Sequence, residues 1–113
     1  MAALLTPPGF ASLNAVTTGT GNPLALNSTK QASWYVTYSG TVSAGEITIE
    51  HAPTTDYAGT WQPLDVIDAS LLATGAAGSG TYPGVISFLR ARITSNITGG
   101  GTVTVYLNGL QEV

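Results

Sequence analysis

Polar and apolar residues alternate along most of the second half of the chain. In Thr102–Leu107, Val103, Val105 and Leu107 take one parity and Thr102, Thr104 and Tyr106 the other. Successive side chains of a strand point to opposite faces, so this pattern predicts a strand with one buried face. Val85–Ser95 repeats it, with Leu89, Ala91 and Ile93 set against Phe88, Arg90 and Arg92. Glu46–His51 places Ile47 and Ile49 inward and Glu46, Thr48 and Glu50 toward water. Such clean alternation suits an antiparallel sheet with one wet face. In Ala32–Tyr38, Trp34, Val36 and Tyr38 oppose Ser33, Tyr35 and Thr37. Thr60–Ile67 is interrupted by Pro63, which has no N–H for the ladder, so an edge position or a bulge is expected. No apolar repeat of helical period runs for more than a few residues.

Breakers divide these strands. Ala52–Gly59 reads as a loop, and Gly99–Gly101 as a hairpin turn. Asp68–Gly84 is rich in Ala, Gly and Ser; a short strand or turn at Leu71-Leu72 followed by a loop is expected there. Asn14–Thr18 reads as a short strand, and Leu24–Leu26 is brief and ambiguous. Residues 1–13 read as an arm, because Pro7 and Pro8 enforce extended geometry. Its Leu4, Leu5, Phe10 and Leu13 carry too much apolar surface for a free tail, so the arm docks on its own domain or on another chain. The fold class that follows is all-β: an antiparallel β-sandwich, jelly-roll-like, with an extended N-terminal arm over 1–13 and one domain over 14–113.

Composition narrows the function. Charged residues make up 8% of the 113 positions, against about 25% in an average soluble domain. Two readings fit: a neutral, hydroxyl-rich extracellular surface, or a surface largely covered by neighbours, since interface cores are depleted in charge. Three basic residues and a net charge of −3 disfavour nucleic-acid binding, which needs cations to replace counterions. They disfavour a polybasic membrane contact equally. There is no cysteine, hence no disulfide and no thiolate metal site; a small secreted domain would often carry disulfides. The first ten residues lack the basic start and long apolar run of a secretory signal. No stretch approaches the ~20 apolar residues of a membrane helix.

Candidate chemistry is sparse. His51 is the single histidine, and Glu50, His51 and Asp56 are the one set that invites a metal; an ordinary loop histidine explains it more simply. Asp65 and Asp68 read as loop capping and solubility rather than as an acid/base pair. No nucleophile elbow or phosphate-cradling glycine loop is present. The expectation is no enzyme, no catalytic residue, no metal and no cofactor. Asn27-Ser28-Thr29 and Asn96-Ile97-Thr98 match the glycosylation pattern, as a Ser/Thr-rich chain does by chance. Trp34 reads as core. Together with Trp61 and Tyr57 it could instead form a sugar-stacking platform, with core the competing reading for both tryptophans. Arg90 and Arg92, two apart on one strand, pair with Glu46 or Glu50, or with a partner.

The run Ile47-Thr48-Ile49-Glu50, then Trp61-Gln62-Pro63-Leu64, then Phe88-Leu89-Arg90-Ala91-Arg92-Ile93-Thr94, then Gly100-Gly101 into Thr102–Leu107 resembles small structural proteins of tailed bacteriophages. It is similar to those that sit on virions as capsid decoration, or cement, proteins, across roughly residues 33–110. The segment Pro53–Gly59 departs from the Asp/Asn-Gly turn usual at that point. The resemblance implies a non-enzymatic protein, made in the host cytoplasm and placed on the capsid surface. It implies binding to the major capsid protein, commonly as a homotrimer. The residues expected to meet partners are Leu4, Leu5, Pro7, Pro8 and Phe10 of the arm, Leu71, Leu72 and Tyr82 of the long loop, and Arg90 and Arg92. The alternative function is a carbohydrate-binding module or tail-associated receptor-binding domain, with Trp61 and Tyr57 as its platform.

Overall fold

A computed structural model describes residues 3–5, 10–29, 31–75, 78–84 and 86–112. Among these residues nine strands follow in chain order: β1 (Ala3–Leu5), β2 (Ala11–Val16), β3 (Leu24–Thr29), β4 (Gln31–Ser39), β5 (Ala44–Ala52), β6 (Gln62–Asp68), β7 (Ser79–Tyr82), β8 (Ile86–Thr98) and β9 (Thr102–Glu112). They form two antiparallel sheets. The first runs β1-β9-β4-β7, with β2 also on β9; the second runs β3-β8-β5-β6. The chain is therefore the expected all-β sandwich.

The alternating strands supply the core. Ile47 and Ile49 of β5, Leu89 and Ala91 of β8, and Val103, Val105 and Leu107 of β9 are all fully buried. Fully burying one such aliphatic side chain is worth about 1.5–3 kcal/mol. This shared inward face is why the period-2 pattern survives folding. β6 is an edge strand, and the register slips between Ile49 and Glu50, opposite Asp65 and Pro63. Both structural expectations for Pro63 are met there.

Three local expectations are corrected. Gly99–Gly101 is not a hairpin turn, because β8 and β9 belong to different sheets. It is an arch that carries the chain across the sandwich, as Gly40–Ser43 does between β4 and β5. The two arches brace each other: the Gly101 N–H donates to the Thr41 carbonyl at 2.7 Å, and the Ser43 N–H to the Thr98 carbonyl at 2.8 Å. Gly99 and Gly100 take positive φ values of 110° and 98°, open to glycine and strained for other residues.

The expected strand or turn at Leu71-Leu72 is a 3₁₀ helix over Ala69–Thr74. Asp68 caps it by accepting from the Ser70 N–H at 3.0 Å, and Gly75 ends it with φ 76°. Part of the loop expected after it is β7, paired with β4. Gly80 permits this pairing, since a Cβ there would lie 2.5 Å from Trp34 Nε1.

The start of the chain closes one side of the sandwich. Of the expected arm, Ala3–Leu5 pairs with β9 and Ala11 begins β2; the proposed boundary at residue 14 falls inside that strand. Leu13 is buried in the core and Phe10 packs against it. Pro7 and Pro8 lie outside the described residues. Beyond Val16 the chain leaves β9 and runs along β8. Ile97 N–H donates to the Thr17 carbonyl, Ile93 N–H to Gly19, and Gly21 N–H to Ala91. The buried Ser12 hydroxyl donates to the Asn22 carbonyl at 2.8 Å and accepts from the Ala91 N–H at 3.0 Å. This segment thus fastens the edge of one sheet to the edge of the other.

Candidate functional site

The two outer faces of the sandwich differ in charge and in cover. On the second sheet the outward row of β5 and β8 was expected to be wet. Instead Glu50 is 1% exposed and Thr48 is also buried. The cause is a cover built from the β5–β6 loop and the arginines. Arg90 lies directly across the ladder from Glu50. Its Nε donates to Glu50 Oε2 at 2.7 Å, and its Nη2 reaches the same oxygen at 2.6 Å. Arg92 Nε approaches Glu50 Oε1 at 3.2 Å.

Trp61 closes the site from above, with the Arg90 guanidinium 3.8 Å from its ring centroid. The Trp61 Nε1–H donates to the Tyr57 carbonyl at 3.1 Å. A buried carboxylate is tolerable only when its oxygens are bonded and its charge is opposed, and both conditions hold. Farther along, Thr94 Oγ1 donates to Glu46 Oε1 at 2.6 Å and lies 3.2 Å from Thr48 Oγ1. The arrangement is a polar lock, with both carboxylate oxygens of Glu50 occupied.

Trp61 is 6% exposed. It offers no open face for a sugar to stack on; that face meets Arg90. Trp34 lies in the core, with its Nε1–H donating to Asp65 Oδ2 across the sandwich at 3.2 Å. Arg90 and Arg92 are brought together on Glu50. Leu72 turns into the core, while Leu71 and Tyr82 stay exposed. Of the described residues expected to meet partners, Leu72 is thus turned to the core and Arg90 and Arg92 to Glu50. Among the described residues, no three His, Asp or Glu side chains gather where they would hold a metal.

Among the described residues, no such cover lies over the outer face of the first sheet. Tyr35 of β4 sits across from Tyr106 of β9, between the pairs Ser33–Asn108 and Thr37–Thr104. Beyond Tyr35, β7 continues the row with Ser79 and Thr81. None of these outward residues is charged. Tyr35 is 57% exposed. Beside it a groove of about 320 Å³ opens between β4 and the end of the 3₁₀ helix, lined by Tyr35, Thr37, Tyr38, Leu72, Gly75 and Ser79. Sequence reasoning assigned Tyr35 and Thr37 to the outward row but gave them no role. The signal available was the uncharged parity of Gln31–Ser39 and of Thr102–Asn108, and it becomes a surface only once their register is known.

No protein-family model matches the sequence, and no curated protein matches it. Among solved structures, the chain is similar to SPBc2 prophage-derived protein YomS, with a TM-score of 0.57 and 15% sequence identity. The superposition covers 98% of this chain and 96% of that one. At that identity the likeness shows a shared fold along the whole length.

Proposed function

We propose that this chain is a non-enzymatic structural protein of a phage virion, a capsid decoration protein that binds the outside of the major capsid protein lattice. The observation that carries the reading is the uncharged Tyr35–Tyr106 face. Interfaces are enriched in tyrosine and depleted in charge at their centres, and desolvating hydroxyls that find partners costs far less than desolvating ions. The sequence resemblance to phage structural proteins supports it. So does the fold shared with a protein of prophage origin.

The mechanism is bridging. A protein that binds only the assembled shell stabilises it by mass action, by about 2.7 kcal/mol per site at a hundredfold excess over Kd. Homotrimeric clustering on the lattice belongs to the proposal through the resemblance. The contact is assigned to the first sheet rather than to Arg90 and Arg92, because Glu50 already engages both arginines.

Purified protein added to expanded capsids lacking it tests the reading. Binding is expected to be saturable and stoichiometric. Tyr35→Glu places an unpaired charge at the contact, at a cost of about 3 kcal/mol, or roughly a hundredfold in affinity. Arg92→Ala is expected to bind normally. Binding that survives Tyr35→Glu, or that is lost in Arg92→Ala with the fold intact, refutes the assignment.

A further inference from the structure

A second cleft, of about 310 Å³ and sharing no lining residue with the groove beside Tyr35, lies between the β5–β6 loop and the start of β8. Tyr57 stands at its rim, 39% exposed. His51, Thr60, Gln62 and Ser87 share the lining. None of these four side chains donates or accepts a hydrogen bond with another described residue. Among the described residues, no carboxylate, lysine or arginine lines the cleft.

We infer that this cleft is a binding site for a neutral saccharide, with the Tyr57 ring as its stacking surface. The inference is independent of the capsid contact, which lies on the other sheet.

The loop holds Tyr57 in place before any ligand arrives. Trp61 is held against the Arg90 guanidinium and donates its Nε1–H to the Tyr57 carbonyl at 3.1 Å. The Tyr57 ring lies against the backbone of Gly59, where a Cβ would stand 2.5 Å from ring atoms. Binding therefore orders few new torsions, which is where affinity is usually lost.

The chemistry selects the ligand class. A pyranose presents an apolar C–H face and a rim of hydroxyls that both donate and accept. An aromatic ring meets the first. Gln, Thr and Ser each offer donor and acceptor atoms for the second, and the His ring adds its nitrogens. The volume lies at the lower end of small-molecule sites, which suits one or two sugar rings at a chain end. A stacked nucleobase is disfavoured, because single-stranded nucleic acid needs cations along its backbone. The chain has three cations, and two of them are held by Glu50.

The test is a two-dimensional NMR titration of the full chain with glucose, galactose and N-acetylglucosamine, and with β-linked disaccharides of each. At least one probe is expected to give saturable amide shifts confined to residues 51–62 and 86–87. Tyr57→Ala is expected to weaken that binding at least about fivefold, while Tyr57→Phe keeps it. Gln62→Ala, an exposed substitution, serves as a second variant and also weakens binding. No saturable shift with any probe overturns the inference. So do shifts that are unchanged in Tyr57→Ala when its spectrum is otherwise that of the folded protein.

Discussion

Arg90 and Arg92 look equivalent along the strand, yet the structure makes them unequal, and their alanine variants should differ sharply. Arg90 makes the two short contacts to Glu50, at 2.7 and 2.6 Å, and stacks on Trp61 at 3.8 Å. Its side chain is 20% exposed, and that of Arg92 is 43% exposed. A hydrogen bond to a charged group is worth about 1.5–3 kcal/mol. A partly desolvated cation–π contact adds about 1 kcal/mol. Arg92 remains beside Glu50 in the Arg90→Ala variant and recovers part of the loss. The expected cost is about 3 kcal/mol.

Arg92→Ala removes a longer, half-exposed contact, and its expected cost is at most about 1 kcal/mol. Urea unfolding followed by tryptophan fluorescence reads both. With a slope of about 1.5 kcal/mol per molar urea, Arg90→Ala should lower the midpoint by about 2 M and Arg92→Ala by well under 1 M. Added salt should change the Arg92 value more than the Arg90 value, since exposed charges are screened first. Equal losses for the two variants, or an Arg90→Ala loss below about 1 kcal/mol, would refute the reasoning that burial and stacking set the difference.

Other expectations follow from single contacts. Ser12→Ala leaves the buried Ala91 N–H without its acceptor and should cost about 1–3 kcal/mol in the same unfolding assay. Gly80→Ala drives a methyl against the Trp34 ring; a loss of about 1–3 kcal/mol is expected, with faster amide exchange across β7. Deleting residues 1–13 removes β1, half of β2 and the buried Leu13, so the truncated chain should lose cooperative unfolding rather than only a binding arm. The two hydrogen bonds from Ser70, side chain first and backbone second, hold the Asp68 carboxyl below its ordinary value of 3.8. Because the folded value is depressed, the cap's contribution is present above the ordinary value and fades as pH falls through the folded one. NMR titration should show that depression, and Ser70→Ala, which removes the side-chain bond and keeps the backbone one, should relieve part of it.

Alternation in β4, β5, β8 and β9 already specified strands and their inward residues, because a period of two leaves one face apolar whatever the neighbours are. Pro63 declared an edge or a bulge, because a missing N–H cannot serve a regular central ladder. Trp34 was legible as core from its place in an apolar row. Partner choice was not legible. Gly99–Gly101 joins strands of the same parity whether it closes a hairpin or arches between sheets, and only long-range pairing separates the two.

The buried state of Glu50 was hidden for a similar reason. Its parity faces outward, and it is covered by Trp61, Arg90 and Arg92, which arrive from other parts of the chain. The 3₁₀ helix at Leu71-Leu72 depended on the Asp68 cap and on space in the core for Leu72. The Tyr35–Tyr106 face and the Tyr57 cleft have the same origin. Their residues are 71 and up to 36 positions apart in sequence, and strand register and loop anchoring bring them together. Local pattern thus determined which residues leave water, and the tertiary structure decided which of those left in water stand side by side.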